Sequence, residues 1–166
     1  AINQSLEISR TIFKEDSIWI AYKLDTLSLI LSAKVQYDEA SQTAAKAAQN
    51  IKDWLGENSP DYSNLLVTQS DIARGHGRLA LAEQYAIQAL TAAENAPECP
   101  AANLAAAHTR LGRAFVAETA ATKAISSFEK AIDLYRGEEG EAGLNVLYLN
   151  PDLAKCMMDA SRLDEA

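Results

Sequence analysis

The chain has 166 residues, of which nearly a fifth are alanine and only 7 are glycine and 4 proline. Because alanine loses no side-chain entropy on entering a helix, this composition favours helix throughout, and we predict no strands. The net charge of −8 would repel a phosphate backbone, which excludes a general nucleic-acid-binding protein. No stretch approaches the ~20 apolar residues of a membrane span, and no signal peptide is recognisable. We therefore expect a soluble, cytoplasmic chain without membrane insertion.

The predicted helices, taken in chain order, form pairs. Residues 2–14 carry the apolar pattern of a helix that ends a preceding unit. Three pairs follow, at about 18–34 and 37–55, about 59–74 and 79–95, and about 101–117 and 120–136. Asn150 and Pro151 have the pattern of an N-cap followed by proline at the first helical position, which predicts a seventh helix from about residue 151.

A period of 42 residues runs through this pattern. The same residue type recurs at Ala40, Ala82, Ala124 and Ala166. Small residues stand 12 positions before each of them, at Ser28, Ser70, Gly112 and Ala154. We interpret the two small positions as a crossing at which two helices approach closely. Apolar residues four and seven positions after each of the first three alanines form the stripe of an amphipathic helix. A fixed period of this length on helical pairs is typical of a repeat array.

The third period carries a recognisable signature: His108, Leu111, Gly112 and Phe115 on its first helix, and Ala124, Phe128 and Ala131 on its second. This pattern resembles the tetratricopeptide repeat. The longer 42-residue period, with the connection at 55–61, is similar to the kinesin light chain type of array. The resemblance implies an all-α fold, a right-handed superhelical solenoid of antiparallel helix hairpins. It also implies a noncatalytic scaffold or adaptor that binds a peptide or protein segment on its concave face.

The period predicts one helical-repeat domain over 1–166. Its parts are the end of a preceding repeat (1–20), three repeats (21–62, 63–104 and 105–146) and the start of a fourth (147–166). We interpret the chain as a fragment of a longer array. Exposed ends of such an array make self-association possible.

In tetratricopeptide arrays the first helix of each repeat lines the concave side, so the resemblance also implies a set of partner-binding residues. These are Tyr22, Asp25, Leu29, Asn64, Val67, Asp71, Arg74, Thr109, Arg113 and Lys155. Acidic members lie towards one end and basic members towards the other, which suits a segment of mixed charge. Solvated or mutually paired charges remain the alternative at each position. We expect replacement of Arg74 and Arg113 by alanine to weaken partner capture and to leave melting nearly unchanged.

Candidates for chemistry are few. His76 lies between two glycines and is expected to be a solvent-facing turn residue, whereas His108 is expected to be packed on a helix. Cys99 and Cys156 are predicted to be free structural thiols. No sequence motif indicates catalysis, and we predict no catalytic residues, no metal and no cofactor. Two alternatives stay open: a regulatory or sensor domain of a larger signalling or transcription-control protein, and an enzyme whose pocket would gather His108, Cys156 or carboxylates.

Overall fold

The computed structural model describes residues 4, 7, 17–117, 120–140 and 143–164, with side chains up to residue 161. This part of the chain contains seven long helices and no strand. They are α1 (Ile18–Ala33), α2 (Tyr37–Leu55), α3 (Pro60–Gly75), α4 (Leu79–Asn95), α5 (Ala101–Ala117), α6 (Ala121–Glu139) and α7 (Leu144–Asp164). The predicted all-α class is confirmed. The helix expected at 2–14 and the alanine at 166 lie outside the described residues.

The helices pack as successive hairpins. Within the pairs, α1 packs on α2, α3 on α4 and α5 on α6, and each second helix also packs on the first helix of the next pair. The second helices α2, α4 and α6 begin 42 residues apart, at residues 37, 79 and 121. First helices also contact each other, α1 with α3 and α3 with α5. Each unit therefore completes the packing of its neighbour, as in a linear repeat array.

The crossing within each hairpin is built from the small residues of the sequence pattern. Ala40, Ala82 and Ala124 are at most 1% exposed. Ser70 donates a hydrogen bond from Oγ to the carbonyl oxygen of Ala82 on the partner helix, at 2.8 Å. At the same position of the next hairpin, Gly112 leaves room for the fully buried ring of Phe128. Small side chains thus let the two helix backbones approach closely.

Backbone conformation repeats with the same period. The turn after α1 contains Val35 with φ of 65°, and the corresponding turn after α3 contains Gly77 with φ of 78°. The second helices are followed by Gly56, Glu98 and Gly140, which are 42 residues apart and have φ of 83°, 52° and 77°. Left-handed backbone costs glycine little but strains a residue with a side chain, above all a β-branched one. The array keeps its turn geometry at Val35 and Glu98 despite this cost.

The start of α7 differs from the expectation. The helix begins at Leu144, and Pro151 lies inside it, so the prediction of a start at about 151 was wrong. The Glu139 carboxylate accepts hydrogen bonds from the backbone N–H and side-chain amide of Asn145, at 3.2 and 2.6 Å. Val146 and Leu149 are 1% and 2% exposed in the core with α5 and α6. Burial of this first segment outweighs the backbone hydrogen bond that the proline removes.

The crossing in the third hairpin generates a first prediction. A Cβ at position 112 would lie 2.8 Å from a ring carbon of Phe128, whose buried ring has no room to move. We expect Gly112→Ala to lower the free energy of unfolding by about 1–3 kcal/mol. The matched control is Gly137→Ala on α6, where a Cβ meets nothing within 4 Å. Alanine there should raise stability by up to about 1 kcal/mol. Urea unfolding of both variants measures the difference, and equal stability of the two would contradict the close crossing.

The strained turn generates a second prediction. Val35→Gly should raise the free energy of unfolding by about 1 kcal/mol, because glycine relieves the left-handed strain. The reciprocal change Gly77→Val, at the same position of the next unit, should lower it by a similar amount. Thermal melts of the two variants against the parent chain test this pair. A destabilised Val35→Gly variant would show that the side chain of Val35 contributes more than its backbone costs.

Candidate functional site

The ten residues predicted to bind a partner all lie on α1, α3, α5 and α7, the first helices of successive units. We call the surface that these four helices form the first-helix surface. Its charged groups are largely arranged in contacts between neighbouring first helices. Three such contacts join residues 39 positions apart: Tyr22 with Asp61, Asp71 with Arg110, and Arg113 with Asp152. A separation of 39 is one period less about one helical turn, which places the two side chains opposite each other. We call this set the polar ladder.

The first contact of the polar ladder joins α1 to α3. Tyr22 donates its hydroxyl proton to Asp61 Oδ1 at 2.8 Å. Burial, together with this hydrogen bond to a carboxylate, raises the pKa of Tyr22 to about 12. Nearby, burial raises the pKa of the Asp25 carboxyl, although a hydrogen bond with Thr68 acts in the opposite direction. Acidic groups at this end of the surface therefore hold α1 against α3.

The second contact is the tightest. Arg110 on α5 donates from Nε and Nη2 to Asp71 Oδ2 on α3, at 3.0 and 2.7 Å. Both side chains are largely shielded, with 23% and 27% of their surface exposed. Arg74, one turn along α3, has its Nη2 3.8 Å from the other oxygen of Asp71. Asp71 was expected to contact a partner, and it is instead engaged by two arginines of its own chain.

The third contact is looser. Arg113 on α5 donates from Nε and Nη2 to Asp152 Oδ2 on α7, at 3.4 and 3.3 Å. These distances exceed the usual range for a charge-assisted hydrogen bond. The guanidinium also lies over the ring of Tyr148, 5.8 Å from its centroid. Because Arg113 links α5 to α7, we now expect its replacement by alanine to affect stability as well as binding.

A cleft of about 450 Å³ lies at this end of the first-helix surface, and it brings together the three predicted cations Arg74, Arg113 and Lys155. Its lining is completed by Leu79, Val116, Ala117, Phe128, Asp152 and Cys156. The lining carries three cations and one carboxylate, in a chain whose net charge is −8. Apolar side chains beside these charges give the cleft both the affinity and the selectivity that a protein segment requires.

The remaining predicted residues divide by exposure. Leu29 is 46% exposed, and Asn64 is also exposed, so both are accessible to a partner. Val67 and Thr109 are 8% and 3% exposed. The Thr109 hydroxyl donates to the carbonyl oxygen of Ala105 at 2.8 Å within its own helix. These last two side chains pack between helices and offer almost no surface for contact.

The sequence reasoning missed three residues of this surface, Asp61, Arg110 and Asp152. A signal for them existed. Each stands 39 residues from a residue that was selected and has the complementary polar or charged group. A search for complementary pairs at one period less one helical turn would have found all three.

A second cleft, of about 530 Å³, lies beside α2 and α4 and includes Ile87 and Gln88 in its lining. It is the larger of the two. However, its one cation, Lys52, is 2.8 Å from the Glu57 carboxylate in the same lining. None of the ten predicted residues lines it. Its charges are therefore balanced internally.

The candidates for chemistry do not come together. Cys156 lines the cationic cleft, and burial raises the pKa of its thiol, which disfavours the nucleophilic thiolate. His108 lies elsewhere on α5, and burial lowers its pKa. His76 stacks on the ring of Tyr37, 5.3 Å between centroids, and is only partly exposed. The described residues contain no cluster of three potential metal ligands, and none of their helices is long and apolar enough to cross a bilayer.

Comparison with known proteins identifies the fold. Neither a known protein family nor a curated protein sequence matches the chain. Among solved structures, BtubC (BKLC) from P. vanneervenii is similar with a TM-score of 0.80 and 16% identity, over 96% of this chain and 64% of that one. A putative kinesin light chain from Podosopora anserina, with nearly identical TPR-like repeats, gives a TM-score of 0.73 and 16% identity, over 99% of this chain and 78% of that one. A variant of that same protein gives 0.74 at 16% identity, over 99% and 77%. The chain therefore has the tetratricopeptide-like repeat fold, and it spans less than two thirds of BtubC.

The polar ladder generates a third prediction. Asp71→Asn should lower the free energy of unfolding by about 1–3 kcal/mol, because it leaves the shielded Arg110 without its carboxylate. The matched control is Asp133→Asn, which removes an exposed ion pair with Arg136 on the same helix. That pair should contribute about 0–1 kcal/mol. Urea unfolding at low and high salt compares the two. Equal losses would show that the contact between α3 and α5 adds no more than a surface ion pair.

Proposed function

We propose that the chain is a noncatalytic scaffold or adaptor module that binds a peptide or protein segment on its first-helix surface. In the tetratricopeptide resemblance this surface is the concave face. The proposal rests on the fold, which commonly serves protein–protein interaction, and on the character of one place on that surface.

The observation that carries the proposal is the convergence of Arg74, Arg113 and Lys155 at one cleft. These cations come from α3, α5 and α7, three successive first helices. No single hairpin could assemble them, so the cleft is a product of stacking. Val116 and Leu79 beside them are 39% exposed, which leaves apolar surface available for a partner side chain.

Rigidity supports the same function. The polar ladder fixes the spacing of neighbouring first helices, so the groups that contact a segment are held in position before it arrives. A preformed surface lowers the ordering cost of association on one side. An extended segment that crosses several helices can then contact Leu29, Asn64 and the cationic cleft together.

A fourth prediction tests this function. Peptides retained by the chain from a displayed library of random sequences would be measured for affinity by fluorescence anisotropy. We expect Arg74→Ala combined with Lys155→Ala to weaken their binding about tenfold or more, through loss of two charge-assisted contacts. Arg113 is kept, since it also links α5 to α7.

The control is Lys46→Ala combined with Lys130→Ala, which removes two exposed cations from the second helices α2 and α6. It changes the net charge by the same amount and should leave affinity almost unchanged. Circular dichroism verifies that both double variants keep their helices. Equal binding by the two double variants would remove the first-helix surface from the function.

A further inference from the structure

We propose that the cleft between α3, α5 and α7 accepts a carboxylate of an acidic partner segment, and that this carboxylate takes the place of Asp152 on Arg113. Asp152 is then an internal competitor that tunes the affinity of the cleft for acidic segments. The inference rests on the proposed function and specifies the chemistry of the segment.

The charge balance of the cleft selects the partner. Arg74, Arg113 and Lys155 face one carboxylate, Asp152, while the chain as a whole has an excess of eight negative charges. An acidic segment is repelled by most of the surface and attracted at this place, which directs it to the cleft. A basic segment would meet three like charges there. The apolar lining at Val116 and Leu79 favours an acidic residue that has an apolar neighbour.

Comparison of two contacts of the polar ladder identifies Asp152 as the exchangeable group. Asp71 and Arg110 are joined at 2.7 and 3.0 Å, and both are more than two thirds shielded. Arg113 and Asp152 are joined only at 3.3 and 3.4 Å, and Asp152 is 41% exposed. The first contact has the geometry of a structural link. The second has a weaker geometry, opens to solvent and lies in the cleft itself.

Arg113 remains held when its acceptor changes. Its guanidinium lies over the Tyr148 ring, 5.8 Å from the centroid, so the arginine keeps one support as Asp152 turns outward. Both bonds from Arg113 go to one oxygen of Asp152. A carboxylate that binds the planar guanidinium with two oxygens would form the stronger, bidentate arrangement. The exchange therefore replaces a poor acceptor with a better one.

The test is the affinity of Asp152→Asn for a defined probe, a short fluorescent peptide in which glutamates are spaced among alanine and leucine. The asparagine keeps the shape of the side chain and removes its charge. We expect about three- to tenfold tighter binding than in the parent chain, because Arg113 is released and one repulsive charge is lost. The gain should shrink as salt is raised. The same peptide with glutamine in place of glutamate should bind both proteins equally weakly.

Asp133→Asn is the matched control, since it removes one acidic charge and one arginine contact on α6, away from the cleft. It should leave the affinity of the glutamate peptide unchanged. A direct measurement follows the Arg113 Nε–H resonance of the parent chain by NMR, which should shift during titration with the glutamate peptide and stay constant with the glutamine peptide.

The outcomes separate this inference from the function on which it rests. Unchanged or weaker binding by Asp152→Asn overturns the competitor role, since a weaker complex would mean that Asp152 positions Arg113 for the partner. Failure of both proteins to bind the glutamate peptide overturns the acidic specificity as well. In either case, library peptides whose affinity depends on Arg74 and Lys155 would leave the proposed function standing. Loss of that dependence would remove both.

Discussion

The close approach of two helices at a pair of small residues is the constraint on which the array depends. Ala40, Ala82 and Ala124 are buried at this crossing, and the residues opposite are serine or glycine. A larger side chain on either helix would separate the backbones and uncover the apolar stripe behind them. Once the hairpin is closed, its outer face is still apolar, and only the next hairpin can cover it. The 42-residue period of the sequence is the record of this single steric requirement.

Sequence reasoning succeeded where the physical cause is periodic. Apolar spacing and small residues placed the paired helices, because these features act through packing that repeats identically in each unit. It failed at Pro151, since a local rule for helix starts was weighed without the burial of Val146 and Leu149 just before it. It also gave no sign of the left-handed conformation of Val35 and Glu98. Such residues adopt that backbone because the surrounding array imposes it, and their own preference points elsewhere.

The candidate site shows the same division. Helical register was enough to place ten residues on four first helices, yet it could not say which side chains turn towards a neighbour. Val67 and Thr109 pack between helices, and Asp71 is held by Arg110. These outcomes depend on the offset between adjacent helices, which sets which residues meet across the gap. That offset is a tertiary quantity of about one helical turn, and a single repeat read in isolation does not contain it.

Charge on the first-helix surface is therefore divided between two tasks. At one end the carboxylates accept hydrogen bonds from their own chain, so they contribute to the spacing of the helices and present little free charge. At the other end three cations share a cleft with only Asp152. The contacts that fix the helix spacing also fix the separation of these cations, because Arg113 belongs to both sets. Any ligand that engages Arg113 must then act on the link between α5 and α7. Binding and the relative position of successive units are coupled through that one side chain.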